Sequence, residues 1–257
     1  MSSRRRALVL NLILALGSLL FAAAVAEIAL RLFPPPSLDK RAILSEVGRM
    51  VPPYLMLPDA EIGWVLAPNF KGEGHGPGWK VTLATNSIGL RDREYAADDP
   101  ADHVVVVGDS YTFGFGVEAD ETFPKIAEDE LRGTPLAGIE VVNAGVSGYG
   151  PFEEAAFLRR VVPRFHPRVV VLAFFEGNDV RNAVEYPLKF RMGPEGYLHR
   201  EGWDPFATPL SYLATYAAMK GRNIGEKLAT RRGIELSRQA ILDAKQYAEG
   251  AGARFLL

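Results

Sequence analysis

The stretch that decides the fold is VVVVGDSYTFG, residues 104–114. A run of valines closed by a glycine predicts a short strand that is buried on both faces, as in a parallel sheet. In open α/β sheets, ligands bind at the carboxyl ends of the strands. Ser110 follows the strand at that end, between Gly108 and Gly114, and glycines let a ligand approach the backbone closely. The sequence therefore predicts Ser110 as a candidate nucleophile.

Two later segments repeat this layout. The apolar run IEVV, residues 139–142, precedes NAGVSGYG, residues 143–150. The run RVVVLAFF, residues 168–175, precedes EGND, residues 176–179. Each predicted strand thus ends in a glycine-containing loop, and the carboxyl ends of parallel strands meet at one edge of a sheet. We therefore expect the three loops to surround a single binding position.

The motifs GDS, NAGVSG and GND occur in this order after successive predicted strands. In this respect the chain resembles the SGNH (GDSL-type) hydrolase superfamily, whose first three sequence blocks centre on Ser, Gly and Asn. The resemblance covers roughly residues 102–257. It implies an α/β fold, a flavodoxin-like three-layer α/β/α sandwich with a parallel sheet, which is expected to be incomplete at the carboxyl terminus because the last family block is missing.

The resemblance also implies roles for three site residues. Ser110 would attack an ester carbonyl to form an acyl-enzyme. The oxyanion would be bound by the backbone N–H groups of Ser110 and Gly148 and by the side-chain amide of Asn178. Loss of one such donor raises the reaction barrier by about 2.7–4 kcal/mol. No cofactor is implied.

Each of these residues also has a purely structural interpretation. Ser110 could cap the helix that follows the strand, and Gly148 could be a turn glycine with positive φ. Asn178 and Asp179 could form an Asx-type turn. Asp109 and Asp179 are predicted to be buried hydrogen-bonding partners of the loops, without a catalytic role.

Other motifs do not fit the first loop. A phosphate-binding loop requires a lysine, and none follows Gly114 or Gly116. The dinucleotide-binding fingerprint requires a third glycine, which is also missing here. The nucleophile elbow of α/β-hydrolases requires glycine where Thr112 stands. With zero cysteines and no paired histidines, no metal site is expected either.

A serine nucleophile needs a base, and the family supplies an Asp-x-x-His pair in its last block. None of the 4 histidines here follows an aspartate at that spacing. His103 and His166 precede predicted strands, which places them about 16 Å from the active edge for a five-residue strand. His75 is predicted to lie in a solvated turn, and His199 in an irregular insertion.

The last predicted elements of the chain indicate where the catalytic base of the family would be expected. Residues 237–249 predict an amphipathic helix that closes at Gly250, and residues 253–257 begin another buried strand. We expect the catalytic Asp and His to lie beyond Leu257, so that this chain alone would retain the oxyanion hole and lack full activity.

The amino terminus predicts a membrane segment. Three arginines, residues 4–6, precede an apolar stretch from Ala7 to Ala26. About 20 such residues span a bilayer, and the arginines should stay cytoplasmic, which leaves everything after Pro34 outside. Cleavage near Ala26, giving a secreted protein, is the alternative. Glu27 and Arg31 are spaced to pair on one helix face.

Three regions are expected: a signal-anchor segment at 1–36, a Pro/Gly-rich connecting and packing segment at 37–100, and the SGNH-like domain at 101–257. The net charge of −2 indicates no nucleic-acid partner. Within the connecting segment, residues 79–85 alternate like an edge strand. Arg91 is expected to form a loop salt bridge, with substrate contact as the alternative.

Helices are predicted at 122–132 and 153–165, with Pro163 straining the end of the second. The long region 180–232 carries aromatic residues that could form a cap or a substrate-binding wall, or pack under the insertion. These aromatic residues are Tyr186, Phe190, Tyr197, Trp203, Phe206, Tyr212 and Tyr216.

Together these observations predict a membrane-anchored, outward-facing SGNH-type esterase. Its expected substrate is an ester, with O-acyl groups of cell-envelope glycans as the specific hypothesis. Two alternatives stay open: an O-acyltransferase that uses the same residues, and a non-catalytic glycan-binding protein.

Overall fold

The computed structural model describes residues 3–35, 50–96, 101–187, 189–193, 195–200, 213–214 and 226–257. The chain divides into two compact units, Met1–Ser45 with Pro205–Gly225, and Glu46–Asp204 with Glu226–Leu257. The predicted boundaries at residues 36 and 100 stay a prediction. Four of the predicted wall aromatics, Trp203, Phe206, Tyr212 and Tyr216, lie outside the described residues.

The described α-helices and strands are, in chain order, α1 (Ser3–Leu32), β1 (Met56–Asp59), β2 (Gly63–Leu66), β3 (Lys71–Gly76), β4 (Trp79–Ala84), β5 (Asp102–Gly108), α2 (Ser110–Phe113), α3 (Phe123–Leu131), β6 (Ile139–Gly145), α4 (Pro151–Phe165), β7 (Val169–Ala173), α5 (Asp179–Glu185), β8 (Phe190–Met192), β9 (Leu198–Arg200), α6 (Glu226–Gly250) and β10 (Arg254–Leu256). A 3-10 helix, Ala119–Glu121, precedes α3.

A 4-stranded parallel sheet with the order β10-β7-β5-β6 forms the centre of the second unit. Read from the other edge, the strands follow the chain order second, first, third, fourth, which is the doubly wound pattern of flavodoxin-like folds. The predicted α/β fold with a parallel sheet is therefore confirmed.

The valine-rich runs form the sheet because they can be buried on both faces. Val105, Val107 and Val142 are fully buried, as are Val170 and Leu172. The predicted final strand forms, since β10 pairs in parallel with β7. The prediction that it is buried is wrong: Arg254 and Leu256 are exposed, because β10 is an edge strand of the described sheet.

The crossover helices have nearly the predicted bounds. α3 ends one residue before the predicted position, and α4 begins two residues earlier, at Pro151. Pro163 lies inside α4, which ends at Phe165, and the C-cap His166 has a left-handed φ of 44°. α6 begins well before the predicted Ser237, and the chain turns after it at Gly252 with φ +86°.

Two antiparallel hairpins, β1–β2 and β3–β4, precede the sheet. The first contributes Ile62, Trp64 and Leu66 to the same buried cluster as the sheet. The predicted strand at 79–85 is confirmed as β4. The prediction for His75 is wrong: it lies in β3 opposite Lys80, because the turn of this hairpin falls at residues 77–78.

The first unit contains α1. Its Arg5–Leu32 portion is 28 residues long, and its most apolar 18-residue window has a mean hydropathy of 2.5, so it is long and apolar enough to cross a membrane. A signal sequence passes the same test. The predicted pair on this helix is formed, with Arg31 Nε 2.7 Å from Glu27 Oε1.

Candidate active site

Ser110 is the first residue of α2, immediately beyond the carboxyl end of β5. The helix cap is Asp109, whose carboxylate accepts a hydrogen bond from the Tyr111 N–H at 2.8 Å. The interpretation of Ser110 as a capping residue is therefore wrong. Among the described residues, the Ser110 hydroxyl has no hydrogen-bond partner, so it is available to a ligand.

Close packing holds this loop against the ends of the neighbouring strands. A Cβ at Gly145 would collide with the backbone of Phe113, and one at Gly108 would collide with the Thr112 side chain. The Val146 N–H also donates to the Gly108 carbonyl at 3.0 Å. Glycines at these positions thus let α2 sit directly on the sheet edge.

Gly148 lies in a tight turn beyond β6. The Tyr149 N–H donates to the Val146 carbonyl at 3.2 Å, and Gly148 has φ +87°, which is the glycine position of a type II turn. In the part of the chain that the structure describes, the Gly148 N–H has no acceptor. The turn interpretation is confirmed, and it leaves this N–H available.

The first hairpin supports this turn from the side. Trp64 Nε1 donates to the Ser147 carbonyl at 3.3 Å, and the Tyr149 hydroxyl donates to the Trp64 carbonyl at 2.6 Å. A Cβ at Gly148 would lie 3.3 Å from the Trp64 ring. The connecting segment therefore contributes to the shape of the site.

Asn178 follows β7 and precedes α5. Its side chain does not cap that helix, and its Oδ1 is buried without a partner, so the alternative interpretation as an Asx-type turn is wrong. Instead, Asn178 Nδ2 donates to Asp109 Oδ2 at 2.9 Å. Because an amide carries two hydrogens, one remains for a ligand.

Asp109 and Asp179 are confirmed as hydrogen-bonding partners of the loops. Asp109 joins the β5 loop to Asn178. Asp179 Oδ2 accepts from the Phe175 N–H at 2.7 Å and so folds the β7 loop back on α5.

The three predicted site residues extend from strand ends that are in register. Gly108 of β5 lies opposite Gly145 of β6 and Ala173 of β7. Ser110, Gly148 and Asn178 follow these ends by two, three and five residues. The site thus occupies the point between β5 and β7 where the strand order reverses, the usual ligand position in this kind of sheet.

The burial of two glutamates near this edge, Glu153 and Glu154, was not predicted, whereas that of Asp179 was. Glu154 of α4 is fully buried with both oxygens unpartnered, and burial followed by the charges of Asp179 and Asp109 raises its pKa well above the usual value. Burial, with the charge of Asp109, also raises the pKa of Asp179. Burial likewise raises the pKa of Glu153 to about 7.

A signal for Glu154 was present in the sequence. It shares a helical face with Leu158, Val161 and Phe165, all of which are buried. This spacing of four, seven and eleven residues marks the inward stripe of a helix. The apolar period therefore predicts burial of Glu154 despite its charge.

His166 lies before β7 as predicted, His103 lies within β5 rather than before it, and the prediction that His199 lies in an irregular insertion is wrong. His103 is in the first half of β5, 3.6 Å from Glu140, and His166 is the C-cap of α4 before β7 begins. Both are at the amino ends of strands, opposite the candidate site. His199 is in β9, 3.3 Å from Glu195. Among the described residues, no group of three His, Cys, Asp or Glu side chains is placed to hold a metal.

Aromatic rings and a cavity border the site. Tyr111, 65% exposed, packs against Phe175 with ring centroids 4.5 Å apart, so an aromatic pair bridges the β5 and β7 loops. Next to the Asn178 loop, a cavity of about 790 Å³ lies between α5 and α6. Its lining includes Phe174, Val180, Ile234, Ile241 and Leu257.

Fold and site together define a doubly wound α/β protein with serine, glycine and asparagine loops at one sheet edge. No family model and no curated protein matches the chain. Among solved structures, it is similar to TesA, with 17% identity and a TM-score of 0.36 over 60% of this chain and 58% of that one. It is also similar to AlinE4, an SGNH-hydrolase family esterase, with 15% identity and a TM-score of 0.28 over 60% of this chain and 75% of that one.

These likenesses concern the fold alone. The chain spans 58% of the length of TesA. The esterase activity named for AlinE4 is that protein's own.

Proposed function

We propose that this chain carries the nucleophile and the oxyanion-binding groups of an SGNH-type serine ester hydrolase. The observation that supports this most directly is the Asn178–Asp109 hydrogen bond of 2.9 Å. It holds a carboxamide donor beside a serine whose hydroxyl is unengaged.

In the proposed reaction, Ser110 Oγ attacks the carbonyl carbon of an ester. The Oγ–C bond forms as the serine proton passes to a base, and the carbonyl oxygen becomes an oxyanion. Collapse of this intermediate breaks the bond to the alkoxide, which leaves with the proton as an alcohol. Water then cleaves the acyl-Ser110 by the same steps.

The oxyanion would be bound by the N–H groups of Ser110 and Gly148 and by the Asn178 amide. All three donors are neutral, and they are fixed before the substrate arrives. Preorganised donors of this kind need no reorganisation when charge develops, which is why they contribute strongly to catalysis.

Ser110, Gly148 and Asn178 do not include a general base that could accept the serine proton. His103 and His166 lie at the amino ends of the strands, a strand length from Ser110. We therefore propose that acylation by this chain depends on an activated ester, whose good leaving group lowers the demand for proton transfer.

The substrate we propose is an O-acyl group on a cell-envelope glycan, reached from the outer side of a membrane crossed by α1. The exposed Tyr111–Phe175 pair supports a sugar ligand, because the apolar face of a sugar ring can pack on an aromatic ring. The adjoining apolar cavity supports an acyl ligand.

The test is acylation by a p-nitrophenyl ester, followed as a burst of nitrophenol and by the mass of the acylated protein. Ser110→Ala should abolish the burst. Asn178→Ala should slow it by about 10²–10³-fold, as loss of an oxyanion donor does. Ser147→Ala is the matched control, because it removes a serine from the neighbouring loop, and it should acylate like the unaltered chain.

A burst that persists in Ser110→Ala would refute the proposal. Binding of an acylated glycan without any acylation would favour the alternative of a glycan-binding protein, for which the position of His103 and His166 is the supporting observation. Faster release of the acyl group to an added acceptor glycan than to water would identify an acyltransferase.

A further inference from the structure

Arg91 does not form the predicted loop salt bridge. Its side chain is 1% exposed, and its guanidinium donates to backbone carbonyls rather than to a carboxylate. Burial of a cation without a paired anion is costly unless its donors are satisfied. The carbonyls satisfy Nη1 and Nη2, whereas Nε is buried without a partner among the described residues.

Three of these carbonyls belong to the loop that begins with Ser110. Arg91 Nη1 donates to Phe113 O at 3.0 Å and to Gly114 O at 2.6 Å, and Nη2 donates to Val117 O at 2.6 Å. Phe113 and Gly114 are the last residue and the C-cap of α2. A cation at this end satisfies carbonyls that have no partner within the helix.

The fourth carbonyl ties the loop to the second hairpin. Arg91 Nη2 donates to Thr82 O of β4 at 3.1 Å. The Thr82 N–H in turn donates to the Glu118 carboxylate at 3.0 Å, just beyond the same loop. Hydrogen bonds of Thr82 with Arg91 and with Glu118 therefore connect the loop to β4.

The geometry leaves α2 little freedom. It is only 4 residues long, and its first residue is the proposed nucleophile. Gly114 has φ +82°, and a Cβ there would lie 3.1 Å from Arg91 Nη1 and collide with Thr122. A shift of the guanidinium would thus move the whole turn of helix that carries Ser110.

We infer that Arg91 is a positioning residue for Ser110, acting through the Phe113, Gly114 and Val117 carbonyls. This inference rests on the proposed function for its catalytic meaning. Its structural content, that Arg91 holds residues 110–117 rigid, is independent of any activity. A displacement of about 1 Å at a nucleophile can cost on the order of 10²-fold in rate.

The test compares Arg91→Gln and Arg91→Lys with the control Arg93→Gln. Arg93 is two residues away and pairs with Glu128 at 2.8 Å and Glu140 at 3.0 Å, without a contact to the Ser110 loop among its described partners. The first measurement is amide hydrogen exchange of the intact chain, which reports local opening.

Arg91→Gln should speed exchange in residues 110–117 by about 10-fold or more, while residues 169–173 of β7 change by less than about twofold. Arg91→Lys should lie between, because an ammonium lacks the planar fork that reaches several carbonyls at once. Arg93→Gln should leave the exchange of residues 110–117 unchanged.

The second measurement is p-nitrophenyl ester acylation. Arg91→Gln should lower the acylation rate constant by about 10-fold or more with little change in the ester concentration at half-saturation. Arg91→Lys should recover part of the rate. If the unaltered chain is not acylated, the proposed function fails, whereas the exchange result still decides the role of Arg91.

Two results would overturn the inference. One is unchanged exchange of residues 110–117 in a folded Arg91→Gln protein. The other is global unfolding of both Arg91→Gln and Arg91→Lys, which would make Arg91 a determinant of the fold as a whole rather than of the Ser110 loop.

Discussion

At the scale of single residues, Glu154 occupies the most unusual environment in the described part of the sheet domain. Its carboxyl group is fully buried, it has no hydrogen-bond partner, and burial with nearby Asp179 and Asp109 raises its pKa well above the usual value. A proton on Glu154 removes the cost of burying a charge. Below that raised pKa, the folded protein would hold a neutral acid near the proposed site.

Stability should consequently fall as the pH rises. Between the ordinary carboxyl pKa near 4.5 and the raised pKa of about 7 of Glu153, the folded state binds a proton that the unfolded state has released. Each such group lowers the free energy of unfolding by about 1.4 kcal/mol for every pH unit in that window. The stabilisation from its proton is fully present only below the pKa that the group has in the unfolded chain. Glu154 and Asp179 act in the same direction.

Glu154→Gln tests this expectation. Glutamine has nearly the same shape and no titratable proton, so the variant should lose less stability than the unaltered chain between pH 5 and pH 8. Urea unfolding at both pH values measures the difference. Lys245→Gln, on the exposed surface of α6, is the control. Equal pH dependence in Glu154→Gln and the unaltered chain would contradict the assignment.

At the scale of elements, the fit of α6 depends on small residues. Ala240, Ala244 and Ala248 follow at four-residue intervals and are at most 1% exposed. A Cβ at Gly233 would collide with Val180 of α5. The helix thus approaches its neighbours closely along one stripe, which the apolar period of residues 237–249 indicated.

Ala244→Leu should destabilise the protein by about 1–3 kcal/mol, because added methylenes in a packed interface force neighbours to shift. Gln246→Leu introduces the same side chain on the exposed face of the helix and should change stability by no more than about 0.5 kcal/mol. The midpoint of urea denaturation measures both. If Ala244→Leu were as stable as the unaltered chain, the close approach of α6 would be disproved.

At the scale of the whole molecule, the proposed orientation of α1 in a membrane rests on residues 4–6. With these arginines held on the cytoplasmic side, residues 50–257 should face outward. Because the chain has zero cysteines, single cysteines report this directly. Glu130→Cys should react with a membrane-impermeant maleimide on intact cells, and Ser3→Cys should react only after lysis. The opposite pattern would reverse the proposed orientation.

The segment before the sheet has a larger role than a connector. The Tyr149 hydroxyl, in the loop after β6, donates a hydrogen bond to the carbonyl of Trp64 in this segment. Arg91, also in this segment, donates to the Gly114 carbonyl in the loop after β5. Asp92 of the same segment accepts from the Asn143 N–H at 2.8 Å, near the end of β6. Variation in residues 50–96 is therefore expected to affect the geometry of the site.

What the sequence determined by itself is the set of strands, their glycine-rich ends and the long apolar helix at the amino terminus. These features depend on local patterns, such as the run of valines at 104–107 and the spacing of apolar residues in α4 and α6. The roles of Ser110, Gly148 and Asn178 stay a prediction, although the in-register strand ends bring their loops to one edge.

Only the tertiary structure decided which polar groups meet. Asp109 and Asn178 are 69 residues apart in the chain, and Arg91 and Gly114 are 23 apart. Whether a buried arginine binds a carboxylate or a set of carbonyls depends on which loop packs against it, and no local pattern encodes that choice. The burial of Glu154 follows from the apolar stripe of α4, but its position next to Asp179 was decided by the tertiary packing of α4 and α5.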